Sequence, residues 1–166
     1  MYFVTISNAI IWRYPMSHAP IKHTGIAPYI CVRGAAEAIE FYIAAFGAVE
    51  EFRLTEPEGK VGHAQLLFGE SVLMICDEYP DFGARAPAAL GGSPVSLHID
   101  VEDCDAAFAR AVAAGATQLR LPKDEFYGDR SAMVACPFGY RWYLNAAKTP
   151  ITPAEMQRRW SEMLQG

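Results

Sequence analysis

The sequence predicts an α+β fold in which two β-α-β-β-β modules pair their curled sheets to enclose a cleft. Three observations carry that prediction. First, the chain repeats itself. Val32 and Val101 each end a strand-like run and lead into an Ala-rich helical run, at an offset of 69 residues. Gly47-Ala48 and Gly115-Ala116 close that run at an offset of 68, and Gly69 and Gly139 precede the last strand of each half at an offset of 70. Self-similarity at one spacing is structural information. Second, each half sets one helix-period segment among strand-period segments. Third, neither module can bury its own sheet, so two must pair.

The elements follow in order. Pro28 to Val32 is a short strand. Ala35 to Phe46 is a helix, because Ile39, Tyr42, Ile43 and Phe46 form one apolar stripe at i, i+3, i+4, i+7. Gly47 ends it as a left-handed cap. Val49 to Leu54, Val61 to Phe68 and Ser71 to Cys76 are strands, with turns at Glu56-Pro57-Glu58-Gly59 and Gly69-Glu70. Residues 78–94 are rich in Pro, Gly and Ala and read as a linker or excursion loop. Val95 to Val101 opens the second module. Asp103 caps the helix Cys104 to Ala114, and Gly115 stops it. Thr117 to Leu121 is a strand. Gly128-Asp129-Arg130 stands at the mouth of a hairpin whose strands are Ser131 to Ala135 and Tyr140 to Asn145. Its turn is Cys136-Pro137-Phe138-Gly139.

The ends differ from the middle. Residues 1–24 form an N-terminal extension, expected to be peripheral. Phe3 to Trp12 is about half the length that spans a bilayer. It has neither basic residues before it nor a cleavage-site pattern, so a secretory signal is not expected. Met16 offers a second start. The domain proper covers 25–147, with modules at about 25–77 and 95–147. Residues 148–166 hold a further helix, with Thr152 as N-cap, Pro153 in the first helical position and Glu155 closing a capping box. Met156, Trp160 and Leu164 share a face of it.

Composition narrows the partners. The chain has 166 residues, 52% of them hydrophobic and 20% charged, as an ordinary globule has. A net charge of −5 provides no basic face, so neither nucleic acid nor an anionic membrane is an expected partner. Cys31, Cys76, Cys104 and Cys136 are scattered without a CxxC pair, which argues against a zinc ribbon. Free thiols in a reducing cytoplasm are expected.

Several short motifs carry a resemblance. Pro28-Tyr29-Ile30-x-Val32, Ala38-Ile39-Glu40-Phe41-Tyr42, Ala45-Phe46-Gly47-Ala48, Gly62-His63-Ala64, Ser71-Val72-Leu73-Met74, Val101-Glu102-Asp103, Gly128-Asp129-Arg130 and Pro137-Phe138-Gly139-x-Arg141-Trp142 are similar to the vicinal oxygen chelate superfamily. Within it they resemble the PhnB-like glyoxalase/bleomycin-resistance/dioxygenase branch. The resemblance covers about residues 25–160. It implies the paired-module fold and a homodimer. It also implies where metal-dependent members bind one divalent ion: in the first strand of each module, at Ala27 and Ser96 here, and in the last, at Leu73 or Met74 and at Tyr143. None of these is a His, Glu or Gln. The branch often has Glu where Gln65 stands, and His where Tyr140 and Ala147 stand.

Strand alternation proposes a cleft lining. Ala27, Tyr29 and Cys31 come from the first strand, and His63 and Gln65 share a face of the third. Ser96, His98 and Asp100 come from the fifth, with Arg141, Tyr143 and Asn145 from the last. Trp142 points the other way, into the core. Arg130 is placed at the pocket rim, where a guanidinium can hold a carboxylate or phosphate, though a surface salt bridge is its other use. The pocket set is therefore Tyr29, His63, Gln65, Ser96, His98, Arg130, Tyr143 and Asn145. Three functions fit. One is a binding protein that holds a small organic molecule in a metal-free cleft. Another is a lyase, isomerase or dioxygenase with one divalent metal on relocated ligands, His63 and His98 with Asp100. The last is an interaction role with a vestigial cleft.

Overall fold

A computed structural model of the protein describes residues 25–165. The expected extension, residues 1–24, lies outside the described residues. The first module runs β1 (Tyr29–Val32), α1 (Ala35–Phe46), β2 (Val49–Thr55), β3 (Val61–Phe68) and β4 (Ser71–Asp77). A 3-10 turn at Pro80–Phe82 and the one-turn helix α2 (Pro87–Leu90) lie in the excursion between modules. The second module runs β5 (Ser96–Asp100), α3 (Cys104–Ala113), β6 (Thr117–Asp124), β7 (Asp129–Ala135) and β8 (Arg141–Ala147), and α4 (Pro153–Met163) follows.

Each module makes one four-stranded mixed sheet, ordered β1-β4-β3-β2 and β5-β8-β7-β6. The outer pairs β1–β4 and β5–β8 are parallel and the other pairings antiparallel. The repeat in the letters is thus a repeat in topology. The helix caps differ between the halves. Asp103 caps α3 locally, its carboxylate accepting from Ala106 N at 3.0 Å. Helix α1 starts after Gly34, at φ 81°, which has no capping side chain. Its first amides donate instead to Asp77 at the end of β4, from Gly34 N and Ala35 N at 2.9 Å each. The other Asp77 oxygen takes Val61 N at 2.8 Å, so one carboxylate joins α1, β3 and β4.

The modules meet through their helix-covered faces. Along β3, Ala64, Leu66 and Phe68 share that face, and along β8 Trp142, Leu144 and Ala146 do. Phe68 meets Trp142 at a ring separation of 5.5 Å. From α1, Tyr42 and Phe46 reach the same indole at 5.3 and 4.5 Å. Arg110 of α3 donates to Ala45 O of α1 at 2.9 Å. Tyr140 donates to Cys31 O at 3.1 Å, a further tie between halves. Trp142 is thus core, as its alternation predicted, and it belongs to both modules. The sheets do not close on one another, so the face of each sheet that points away from the helices stays open.

Two boundaries differ from the sequence reading. Strand β6 continues to Asp124, and β7 begins at Asp129, so Asp129 and Arg130 lie within a strand rather than at a hairpin mouth. The turn is held from outside. Gly128 O accepts from Lys148 N and Thr149 N, and a Cβ on Gly128 (φ 97°) would sit 2.2 Å from Thr149 O. The C-terminal helix keeps its predicted cap, Glu155 N donating to Thr152 Oγ1 at 3.2 Å, and buries no residue.

Replacing Trp142 with Ala removes the ring that both modules share. We expect a loss of about 3–5 kcal/mol, the usual cost for a buried aromatic, read as a lower denaturation midpoint. A loss under about 1 kcal/mol would show that the joint does not depend on this side chain.

Candidate functional site

The open face of the first sheet is built by register. Tyr29 pairs with Met74 and Cys31 with Cys76 across β1–β4, and Gln65 pairs with Met74 across β3–β4. Phe52 and Leu54 of β2 lie opposite Gln65 and His63. Tyr29 Oη is 3.1 Å from His63 Nδ1, and the rings meet edge-on at 5.3 Å. Phe52 covers the other side of His63 at 5.6 Å. Gln65 Nε2 lies 3.5 Å from His63 Nε2. Burial, then the adjoining Cys76 thiol, pushes the Tyr29 hydroxyl up to about 12, so it is a hydrogen-bond donor at neutral pH. Tyr29 is 55% exposed and Leu54 61% exposed: this face is uncovered.

The second open face is organised around a stacked pair. His98 and Tyr143 are register partners, and their rings lie 4.4 Å apart at 9°. Asn145 Nδ2 is 3.1 Å from His98 Nδ1. Asn145 is nearly buried, and its Oδ1 has no partner among the described residues. Ser96 sits on the same face, opposite Arg141.

Three residues of this face escaped the sequence reading. Ser131, fully buried, lies opposite Asn145. Arg120 Nη2 donates to Ser131 Oγ at 2.9 Å, and its Nη1 pairs with the well-buried Glu125 carboxylate. The available signal was Arg120 itself, a charge alternating with Leu119 and Leu121. Ending the strand at Leu121 hid its partner Glu125.

Arg130 does not join this group. It is the register neighbour of Ala146, while Ser131 faces Asn145, so Arg130 points to the helix side. Its guanidinium takes both oxygens of Asp105 on α3, at 2.5 and 2.8 Å, and Asp124 at 3.1 Å. The surface salt bridge is its observed use.

Of the eight pocket residues, the structure therefore assembles Tyr29, His63 and Gln65 on one open face and Ser96, His98, Tyr143 and Asn145 on the other. His63 and His98 stand on separate sheets, each engaged by its own neighbours. Among the described residues no group of three or more His, Cys, Asp or Glu side chains is arranged to hold a metal ion. A groove of about 920 Å³ also runs between the modules, with Phe46, Phe68 and Trp142 in its wall and His98 among its lining residues.

Comparison with known proteins decides the family. The model of the Glyoxalase/Bleomycin resistance protein/Dioxygenase superfamily matches residues 21–144. The chain belongs to that superfamily. The uncharacterized protein Mb0911c of Mycobacterium bovis is 40% identical over 144 residues, which is 85% of this chain and 95% of that one. The crystal structure of the Arabidopsis thaliana gene product At5g48480 superposes with a TM-score of 0.61 at 28% identity, over 74% of this chain and 98% of that one. A putative 3-demethylubiquinone-9 3-methyltransferase, PhnB protein, from Bacillus cereus has a TM-score of 0.58 at 20% identity, over 75% of this chain and the whole of that one. The last likeness is one of fold.

The positions that the resemblance implies for a divalent ion carry Ala27, Leu73 or Met74, Ser96 and Tyr143 here. That donor set offers no imidazole and no carboxylate, so it does not fit a hard or borderline divalent ion. Among the described residues no helix is long and apolar enough to cross a membrane.

The Arg130 assignment has a pH signature. Arg130 holds the Asp105 carboxyl below its ordinary value of 3.8, and Lys148 with Arg130 does the same for Asp124. Carboxyls depressed on folding contribute stability that is present above the unfolded pKa and lost as pH falls through the folded one. Melts between about pH 5 and pH 2 should show wild type losing stability more steeply than Arg130→Met. Parallel profiles would show that the pair contributes nothing.

Proposed function

We propose that the protein binds a small organic molecule on its open sheet faces without a divalent metal, as a PhnB-like member of its superfamily. The observation that carries this reading is the His98–Tyr143 stack with Asn145 at its edge. A flat, 9° ring pair beside a nearly buried amide suits an aromatic ligand carrying one polar group. The Tyr29–His63–Gln65 row is its counterpart, an aromatic wall with neutral polar atoms. Both faces are aromatic and uncovered, which favours a homodimer in which the first sheet of one copy closes over the second sheet of the other. Arg120 is neutralised by Glu125, and the exposed Arg141 on the same face can meet a negative group on the ligand.

A thermal-shift screen of aromatic small molecules tests it. For a hit, His98→Ala and Tyr143→Ala should each weaken binding by about tenfold, the scale of one aromatic contact, while melting within a few degrees of wild type. If both bind as tightly as wild type, the ligand sits elsewhere. Protein purified without chelators should hold no stoichiometric divalent metal and show no large shift with Zn²⁺, Ni²⁺, Mn²⁺ or Fe²⁺. A stoichiometric divalent ion would favour a lyase, isomerase or dioxygenase with relocated ligands.

A further inference from the structure

Cys31 and Cys76 are register partners on the parallel pair β1–β4. Ile30, Val32, Leu73 and Ile75 take the helix side of these strands, so both thiols lie on the open side. Met74 lies there too, two register pairs along, opposite Tyr29. Three sulfur side chains thus share one face of two adjacent strands. All four cysteines are free thiols. A cavity of about 670 Å³ opens over Cys31 and Cys76, walled by Tyr29, Tyr79, Arg85 and Tyr140. Cys76 is only 6% exposed and Cys31 half-buried, so the cavity is their approach.

Strand geometry says what this pair suits. Neighbouring strands lie about 4.8 Å apart, and register partners project their side chains side by side. Two thiols held side by side in this way can share one atom placed between the sulfurs. Thiolate and thioether donors select soft ions, above all Cu(I), whereas harder ions require nitrogen or oxygen ligands. A site with two cysteines and a methionine lacks the hard donors those ions need.

We propose that Cys31 and Cys76, with Met74 as a third donor, bind a soft monovalent metal ion of the Cu(I) class. Two Cu–thiolate bonds form as two S–H bonds break, and Met74 adds a third bond from a thioether lone pair. Both protons pass to solvent, and no electron is transferred. Because both thiols give up a proton on binding, uptake tightens as pH rises. The site stands apart from the His98–Tyr143 stack and does not depend on the reading above.

Competition against bicinchoninate tests it, using reduced full-length protein and Cu(I) without oxygen. Wild type should withdraw one Cu(I) per chain. Cys31→Ser and Cys76→Ser should each weaken uptake at least tenfold, Met74→Leu less, and Cys104→Ser not at all. No withdrawal by wild type, or full uptake by Cys31→Ser, overturns the proposal. A second measurement needs no variant: one equivalent of Ag(I) should protect Cys31 of wild type from iodoacetamide, read by peptide mass. Unchanged alkylation of Cys31 overturns it equally.

Discussion

The packing of Trp142 is the constraint on which the rest of the structure depends. One indole receives Tyr42 and Phe46 from α1 and Phe68 from β3, so the ring that anchors β8 also anchors the first module. A module of this kind has one sheet face covered by its own helix and too little apolar area to bury more. Joining two such modules through their helix sides satisfies both helices at once. It also fixes what remains: each sheet turns its other face outward, and those faces carry the aromatic and polar side chains with chemical use. The site follows from the joint, because a module paired the other way would bury Tyr29 and His98 and expose Trp142.

Much of this was legible in the letters. The repeat gave the two modules, because glycines that end helices and turn hairpins recur wherever the same backbone recurs. Alternation placed Trp142 in the core and Tyr143 on the opposite face, as cleft lining, since a strand has only two faces. It also placed Tyr29 with His63 and His98 with Asn145. What was not legible depended on contacts made from a distance. Arg130 follows a glycine and an aspartate and reads as a turn residue. It is a strand residue because Gly128 is pinned by the backbone at Thr149, some twenty residues later in the chain. Asp77 reads as the polar end of a strand, and only the fold shows it capping α1.

The enclosed cleft shows the same limit. Two sheets that must pair can pair by either face, and pattern alone does not choose. The choice is made by the aromatic residues at the joint, whose shapes fit one arrangement. Histidines that seemed candidates for one shared site then belong to different sheets, each steadied by its own neighbour, Tyr29 for His63 and Asn145 for His98. Ring faces and hydrogen-bonding groups make up most of these two rows, with the exposed Arg141 beside them on β8. The proposed recognition of a flat organic molecule rests on them.

Backbone amide shifts on titration with 8-anilinonaphthalene-1-sulfonate, an aromatic probe carrying one anionic group, test the central claim most directly. The account predicts perturbations that cluster on β5 and β8 around His98, Tyr143 and Asn145, and on β1 and β3 around Tyr29 and His63. Shifts confined to the inter-module groove, at Phe46, Phe68 and Trp142, would contradict it and move the binding site to the joint itself.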